Sequence, residues 1–349
     1  MATVAFHTLG CKVNSYESEA MLEIFKKRGY DNIDFESPAD VYVINTCTVT
    51  NTGDSKSRQM IRKAHRTNPD AVICVVGCYS QVASEEITGI EGVSIVLGTQ
   101  HRASIVDFVE EYKTTHKQIV KIENVMKVSR FEDLSIHAFE NKTRAFLKIQ
   151  DGCNNFCTYC IIPYARGGVR SRPKEDVLRQ AQELVDRGFV EIVLTGIHTA
   201  GYGVDLDNYS FYDLLVDLTT KINGLKRLRI SSIEMSQVSD EIIELIGRSP
   251  IIVDHLHIPI QSGTDPILRR MARHYNTAEF EKKYFELKEA LPGISITTDV
   301  IVGFPGETEE NFIDTYNWIK KLHFNQLHVF PYSRRKGTPA DRMPNQVPG

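Results

Sequence analysis

The sequence predicts an α/β protein built from two successive domains. Apolar, β-branched segments alternate with amphipathic helical segments along most of the chain, and a polar, weakly patterned stretch at residues 113–143 interrupts the alternation. The length of 349 residues also exceeds what one ordinary hydrophobic core accommodates. We therefore expect an N-terminal domain at residues 1–112, an interdomain connection at 113–143 and a second domain at 144–349.

The N-terminal domain is predicted to be a parallel sheet of the Rossmann or flavodoxin-like type, covered by helices on both faces. Its strands read as near-continuous apolar runs, which is typical of parallel sheets buried on both sides. The predicted strands are TVAFHTLG, DVYVINT, AVICVVG and VSIVLGT. The predicted helices are SYESEAMLEIFKKRG, SKSRQMIRKAHRTNP and SQVASEEITGI; the first stops at Gly29 and the second at Asn68-Pro69.

After Arg144 the alternation of strand and helix occurs six times, which favours a partial (β/α)6 barrel of the TIM type over an open sheet. The predicted strands are AFLKIQ, EIVLTG, RLRISS, HLHIPI, SITTDVIVG and QLHVFP. The predicted helices are KEDVLRQAQELVDRG, FYDLLVDLTTKIN, SDEIIELIGRS, DPILRRMARH, TAEFEKKYFELKEAL and ETEENFIDTYNWIKKL. Barrel enzymes place their chemistry at the carboxyl ends of such strands.

Composition indicates a globular protein without a membrane segment. No apolar run approaches the roughly 18 residues that cross a bilayer, and the N-terminus lacks the pattern of a signal peptide. Seven cysteines in a chain of this kind indicate thiols, metal ligands or catalysis rather than disulfides, so we expect a cytoplasmic protein.

The net charge of −4 gives no sign of a nucleic-acid partner. Basic clusters such as Arg58, Arg62 and Arg66 are most simply solvated helix faces, although they permit a polyanionic partner.

Three cysteines follow three predicted strands of the N-terminal domain. Cys11, Cys47 and Cys78 each lie just past a carboxyl end, the edge where parallel sheets bind ligands. A single buried cysteine often acts only as a small hydrophobe, and Cys74, inside a strand, is interpreted in that way. Three thiols at one edge predict instead a site for an iron–sulfur cluster, zinc or copper(I).

A second set, Cys153, Cys157 and Cys160, directly follows the first predicted barrel strand. This spacing suits three corners of a four-iron cluster and leaves the fourth iron without a protein ligand. Zinc is the alternative, but no nearby cysteine or histidine pair completes a zinc site. His255 and His257 are interpreted as barrel packing or polar lining.

The segment CNNFCTYC, after the first strand of a six-unit barrel, resembles the radical S-adenosylmethionine (SAM) superfamily. With LGCKVNSYESE, NTCTVT and GCYSQ, the chain is identified, over essentially its whole length, as a member of the methylthiotransferase family. Five further segments resemble the branch that acts on threonylcarbamoyladenosine in tRNA: CNNFCTYCIIPYARGGVRSRP, LTGIHTAGYG, HIPIQSGTDPILRRM, DVIVGFPGETEENF and FPYSRRKGTPA.

The resemblance implies two 4Fe-4S clusters and SAM as cofactors. Cys153, Cys157 and Cys160 are expected to hold the cluster whose open iron is chelated by SAM and which generates the 5′-deoxyadenosyl radical. Cys11, Cys47 and Cys78 are expected to hold an auxiliary cluster that carries the sulfur to be transferred. One SAM methylates that sulfur and a second supplies the radical, so that a methylthio group enters at C2 of the adenine next to the anticodon. The implied partners are the tRNA anticodon stem-loop, an electron donor such as flavodoxin or ferredoxin, and a sulfur source, with no membrane.

The resemblance also implies SAM-binding residues at the ends of the barrel strands. Thr195 and Gly196 are expected near the methionyl amine, and Ser232 and Glu234 near the ribose hydroxyls or the methionine moiety. Gln261 is expected near the ribose and adenine. Three arginines are expected to bind substrate phosphate or the SAM carboxylate, because a guanidinium offers bidentate geometry: Arg166, Arg170 and Arg172.

Several alternatives stay open at the level of sequence. Within the family, the substrate is alternatively another tRNA adenosine, such as the isopentenyl form, or an aspartate of a ribosomal protein. A non-catalytic iron–sulfur electron carrier is the alternative from another class, although carriers usually enclose a cluster with four cysteines.

Family members continue into a small C-terminal β-barrel, the TRAM domain, that helps to bind tRNA. The sequence given ends at TPADRMPNQVPG with no all-β segment, so weaker tRNA binding is expected.

Overall fold

A computed structural model describes residues 1–134, 136 and 143–348. Residues 135 and 137–142, part of the expected interdomain connection, lie outside the described residues. The chain divides into two compact units. The first comprises Met1–Lys142, Asp151–Asn154 and Ile161–Arg172, and the second comprises Thr143–Gln150, Asn155–Cys160 and Pro173–Gly349. The segment around the second cysteine set is therefore shared between the two units.

The first unit contains a six-stranded, all-parallel sheet in the order β2-β1-β3-β4-β5-β6. Its strands are β1 Thr3–Thr8, β2 Asp31–Ile33, β3 Val41–Thr46, β4 Val72–Gly77, β5 Val93–Leu97 and β6 Ile119–Lys121. Its first helices are α1 Lys12–Lys27, α2 Asn51–Thr67, α3 Cys78–Val82, α4 Ser84–Thr88 and α5 Ile105–Thr115. The four predicted strands are all present. Two three-residue edge strands, β2 and β6, were not predicted because so short a run carries no readable apolar pattern.

Apolar side chains cover both faces of this sheet, as predicted for parallel strands. Along β3, Val41 and Val43 pack into one hydrophobic cluster, which also contains Cys74. Tyr42 and Ile44, which alternate with them, pack into a second cluster on the opposite face. Cys74 is thus a core residue, in agreement with its interpretation from the sequence.

The second unit carries the six predicted barrel strands. They are β7 Ala145–Lys148, β10 Glu191–Thr195, β11 Arg227–Ile230, β12 His255–His257, β13 Ser295–Val302 and β14 Gln326–Pro331. The parallel sheets β11-β10-β7 and β12-β13-β14 are joined by the parallel bridges Leu228↔Ile252 and Ser232↔His257. The six strands therefore follow one another in sequence order, which confirms the predicted partial barrel. Elsewhere the structure has two short strands, β8 Gln150–Asp151 and β9 Arg170–Ser171.

Helices separate the barrel strands, with boundaries set by local capping. They are α7 Lys174–Asp186, α8 Phe211–Lys221, α9 Asp240–Arg248, α10 Asp265–Arg270, α11 Thr277–Ala290 and α12 Glu309–Leu322; a further helix, α6 Ile162–Arg166, belongs to the first unit. Capping boxes begin α8, α11 and α12, which explains where these helices start. Short 3₁₀ turns lie at Arg102–Ser104, Val125–Lys127, Thr199–Gly201, Met235–Gln237 and Pro339–Arg342. Among the described residues, no helix has the length and apolar character to cross a membrane.

Candidate active site: two cysteine sets

The first cysteine set lies at one edge of the parallel sheet in the first unit. Cys11 comes between β1 and α1, Cys47 directly follows β3, and Cys78 directly follows β4. These three strands are neighbours in the sheet, so their carboxyl ends lie side by side. The structure therefore brings together three residues that are widely separated in sequence, as the strand-end argument predicted.

The three thiols are close enough to affect one another electrostatically. Burial raises the pKa of Cys47, and the neighbouring Cys11 raises it further, although the Val49 backbone N–H acts in the opposite direction. Burial raises the pKa of Cys78 to about 12; Arg166 opposes this effect, whereas Cys11 and Cys47 add to it. Such thiols stay neutral unless a positive group binds their thiolates. Together with Cys11 they form a set of three soft sulfur donors at one edge of the sheet, and such a set fits three corners of an iron–sulfur cluster.

Glycines allow the backbone to reach this arrangement. Gly10, which precedes Cys11, has φ +101, and a Cβ there would lie 2.9 Å from the Cys47 sulfur. Gly77, which precedes Cys78, has φ +103, and a Cβ there would lie 2.6 Å from Asn45 Oδ1. Both positions need the left-handed backbone region and a close approach, so only glycine fits without rearrangement.

Arg166 lies beside this cysteine set, in a fully buried ionic network. Its Nε donates to Cys78 Sγ at 3.2 Å, and its Nη1 and Nη2 donate to the Glu17 carboxylate at 2.6 and 3.0 Å. Nη2 also donates to Asn14 Oδ1 at 2.9 Å, and Nη1 lies 3.2 Å from an Asp151 oxygen. Burial acts to lower the pKa of Arg166, but Asp151, Cys78 and Glu17 keep it well above its usual range. The guanidinium is therefore occupied by protein groups.

The structure places all three arginines of this segment among partners within the protein. Arg166, Arg170 and Arg172 are all buried within the first unit. Their expected binding of phosphate or the SAM carboxylate stays a prediction. Arg170 Nη1 donates to the Gly168 carbonyl at 3.0 Å, and Arg172 Nη2 donates to Asp133 at 3.0 Å. Buried cations need partners within the protein, and the sequence pattern of the segment did not reveal them.

The second cysteine set follows the first barrel strand, and its loop is anchored on both units separately. In the first unit, the Cys153 N–H donates to the Gly167 carbonyl at 3.0 Å. In the second unit, the Thr158 N–H donates to the Met271 carbonyl at 3.0 Å, and the Cys160 N–H donates to the Cys157 carbonyl at 2.9 Å. These hydrogen bonds fix the backbone on either side of the cysteines.

Arg273 is a second arginine that contacts a cysteine, and the sequence analysis missed it. Its Nη1 donates to Cys157 Sγ at 3.5 Å, and its two Nη atoms form a bidentate pair with Glu234, each at 2.9 Å. Asn155 Nδ2 donates to the same carboxylate at 3.2 Å. Arg273 belongs to the segment LRRMARH, which the sequence presents only as a basic cluster. No local signal distinguishes this buried arginine from its exposed neighbours.

The other residues expected to bind SAM lie at the carboxyl ends of the barrel strands. Thr195 is the last residue of β10, and Gly196 follows it. Ser232 follows β11 and bridges to His257, and Glu234 lies two residues further on. Gln261 follows β12 with φ +63. The predicted positions thus share one end of the second unit's strands, while contacts with SAM stay predictions.

A cluster of histidines and one aspartate lies on three neighbouring strands of the second unit, β12, β13 and β14. Asp299 accepts from His257 Nε2 at 3.2 Å and lies 3.1 Å from His328 Nδ1. Thr297 Oγ1 is hydrogen-bonded to both His255 and His257. The interpretation of His255 and His257 as polar lining therefore agrees with the structure. Their hydrogen bonds link β12 to β13, and the contact of His328 with Asp299 links β13 to β14.

Comparisons with known proteins define the class. The model described as "Uncharacterized protein family UPF0004" matches residues 3–98, and the Radical SAM superfamily model matches residues 147–319. The chain resembles the structure of the radical SAM methyltransferase TsrM from Kitasatospora setae, with a TM-score of 0.70 and 14% identity over 97% of this chain and 74% of that one. At that identity the likeness concerns the fold alone. Fold and motif together define a radical SAM enzyme with an additional N-terminal parallel-sheet domain.

Two curated relatives narrow the assignment. The threonylcarbamoyladenosine tRNA methylthiotransferase MtaB of Bacillus subtilis is 60% identical, over 99% of this chain and 77% of its own length. The tRNA-2-methylthio-N6-dimethylallyladenosine synthase of Finegoldia magna is 35% identical, over 99% of this chain and 76% of its own length. The chain therefore belongs to the radical SAM methylthiotransferase family and is a transferase. Its predicted cofactors, SAM and two 4Fe-4S clusters, are those of this family.

Proposed function

We propose that this enzyme inserts a methylthio group at C2 of N6-threonylcarbamoyladenosine, next to the tRNA anticodon. The observation that carries the choice of substrate is the contrast in identity: 60% to a threonylcarbamoyladenosine enzyme and 35% to a dimethylallyladenosine enzyme, both over 99% of the chain. The two sets of three thiols support the chemistry, because each leaves a cluster one coordination position for a second ligand.

The residues around each set fit different tasks. Cys153, Cys157 and Cys160 would hold the cluster that, with SAM bound, supplies the 5′-deoxyadenosyl radical. Beside Cys157, the Glu234 carboxylate and the Arg273 guanidinium offer complementary partners for the amino and carboxylate groups of a methionine moiety. The bidentate pair they form keeps both side chains positioned before a ligand arrives.

Cys11, Cys47 and Cys78 would hold the auxiliary cluster, which carries the sulfur to be transferred. Cys78 is buried and Cys47 is partly buried, so the protein shields this side of the site from water. Cys11 is exposed, so the site is open on the side of that residue. A site that is shielded at Cys78 and open at Cys11 suits a sulfur group that must meet a substrate.

The partners follow from this reaction. The substrate is the tRNA anticodon stem-loop that carries threonylcarbamoyladenosine. The enzyme also needs an electron donor, such as flavodoxin or ferredoxin, and a source of sulfur. We place the enzyme in the cytoplasm, where mature tRNA is available.

The proposal is tested by reconstituting the protein anaerobically and adding SAM, a reductant and one of three substrates. These are anticodon stem-loop RNA with threonylcarbamoyladenosine, the same RNA with isopentenyladenosine, and an aspartate-containing peptide of a ribosomal protein. Mass spectrometry of the digested nucleosides should show the 2-methylthio product from the threonylcarbamoyl RNA. Preference for the isopentenyl RNA, or product only with a ribosomal-protein peptide, would contradict the substrate. Failure to cleave SAM with both clusters loaded would favour an electron carrier.

Two cysteines four residues apart give a matched control. Cys78→Ala removes a proposed cluster ligand, whereas Cys74→Ala removes a thiol from the hydrophobic core. Cys78→Ala should keep SAM cleavage but lose methylthio product, because the radical-generating set is intact. Cys74→Ala should keep both activities. Equal loss of product in the two variants would show that stability, not cluster binding, explains the effect.

A further inference from the structure

We propose that Arg166 is a positioning residue of the auxiliary cluster site, and that its hydrogen bond to Cys78 sets the reduction potential of that cluster. This inference rests on the proposed function, which places a cluster on Cys11, Cys47 and Cys78. It assigns a role to Arg166 that differs from the SAM or phosphate binding expected from the sequence.

The first argument is the direction of the guanidinium. Arg166 is 0% exposed, and its Nε points at the Cys78 sulfur with a separation of 3.2 Å. Its outer nitrogens are held by the two oxygens of Glu17, so the side chain cannot rotate without breaking both bonds. A planar guanidinium clamped on one edge presents its Nε–H along a fixed line. Cys78 therefore receives a donor whose position is set by the protein.

The second argument is the balance of charge. Arg166 and Arg102 are both fully buried, and both pair with Glu17. Asp151 lies 3.2 Å from Arg166, and Glu132 lies 2.7 Å from Arg102, so three carboxylates face two guanidinium groups. This buried network has no excess of positive charge to bind an external anion. Within this network, Arg166 is the residue that contacts the cysteine set, through its hydrogen bond to the Cys78 sulfur.

The third argument is how the chain delivers Arg166. It is the last residue of α6, six residues after Cys160, and the segment Ile161–Arg172 packs within the first unit. Thr99 Oγ1 donates to the Ala165 carbonyl at 2.9 Å, which anchors the end of α6 on that unit. Asn14 and Glu17, from the segment LGCKVNSYESE, receive the arginine. The polar residues after Cys11 thus have a structural purpose, which is to hold Arg166 against Cys78.

The physical consequence follows from the charge on a cluster. Reduction makes the cluster and its thiolates more negative, so a hydrogen bond to a ligating sulfur and a nearby positive charge stabilise the reduced state more than the oxidised state. The low dielectric of a fully buried site strengthens this effect. Arg166 should therefore raise the reduction potential of the auxiliary cluster.

The experiment isolates the auxiliary cluster in the 349-residue chain. Cysteines 153, 157 and 160 are replaced by alanine, and this parent is reconstituted to about four iron atoms per chain. A redox titration followed by electron paramagnetic resonance then compares the parent with Arg166→Gln. We expect a lower midpoint potential and an altered signal, with iron retained. If Arg166→Gln does not fold, Arg166→Lys, which keeps a charge but loses the planar Nε–H, should lower the potential in the same direction.

Arg102→Lys is the matched control, because Arg102 is equally buried and shares Glu17, while its recorded partners are Glu17, Glu132 and the Thr99 carbonyl. An unchanged potential in the Arg166 variants, with normal iron content, would overturn the inference alone. A shift in Arg102→Lys as large as that in Arg166→Lys would also overturn it, since the effect would then belong to the whole buried network. A parent that binds no cluster would overturn both the inference and the proposed auxiliary site.

Discussion

Glu17 holds two buried arginines at once, so replacing it with glutamine should strongly destabilise the first unit. Its carboxylate is 0% exposed and lies 2.6 Å from Arg166 Nη1 and 2.5 Å from Arg102 Nη1. Glutamine keeps the size of the side chain but removes the charge and replaces one acceptor oxygen with an N–H₂ donor. Both buried guanidinium groups then lose their charged partner at Glu17, and one of them faces another donor. Removing one partner of a buried ion pair typically costs about 3–5 kcal/mol of unfolding free energy.

Thermal unfolding of the full chain, followed by circular dichroism under anaerobic conditions, measures this loss. For a folded unit of 150–250 residues, each kcal/mol lowers the unfolding midpoint by about 2–4 °C, so Glu17→Gln should lower it by about 6–20 °C. The matched control is Glu86→Gln. Glu86 pairs with Arg58 at 3.0 Å, but its side chain is 52% exposed, so that pair contributes at most about 1 kcal/mol.

A midpoint for Glu17→Gln within about 2 °C of the Glu86→Gln control would refute this reasoning, because Glu17 would then contribute no more than an exposed ion pair does. A large drop in both variants would refute it as well, since burial would not be the deciding factor.

Three further perturbations have expected outcomes. Gly10→Ala places a Cβ 2.9 Å from the Cys47 sulfur, at a backbone φ of +101 that disfavours alanine. Because this disturbs the first cysteine set, the iron content after reconstitution should fall from about eight to about four atoms per chain. Full iron loading would contradict this. Glu234→Gln removes the charge that holds Arg273, so SAM cleavage should show a raised KM, and an unchanged KM would count against a binding role. The pKa of Asp299 is lowered, because hydrogen bonds from two flanking histidines outweigh the opposing effect of burial. It therefore stabilises the fold above its unfolded pKa of about 3.9, and that contribution is lost as the pH falls through the lower folded value. Unfolding scans should show Asp299→Asn less stable than the parent at pH 7, with the gap narrowing below about pH 4; a gap independent of pH would contradict the assignment.

Much of the fold was predictable because parallel strands carry a strong local signal. Fully buried strands such as Val41–Thr46 and Val72–Gly77 read as unbroken apolar runs, and each is followed by a helical pattern. The edge strand Ile119–Lys121 was not predicted, and it lies in the stretch expected to be a connection. Its backbone pairs with Val93–Leu97. Three residues are too few to form a pattern that predicts this pairing.

The cysteine sets were also predictable, because the topology of a parallel sheet converts strand ends into neighbours. Cys11, Cys47 and Cys78 needed only correct strand assignments to be placed at one edge, and Cys74 was separated from them by its position inside a strand. Their roles as cluster ligands stay predictions that the iron analyses test.

The sequence by itself determined the α/β class, the partial barrel and the edge at which the thiols meet, because these depend on local periodicity and on the geometry of parallel strands. Only the tertiary structure showed which groups the buried arginines contact. Arg166 finds Glu17 149 residues away, and Arg273 finds Cys157 116 residues away. The sequence shows that a residue is an arginine, but it does not show whether the guanidinium contacts solvent, a phosphate or a buried sulfur. Which of these it meets is set by burial, since a charge without water must find its partners within the folded chain.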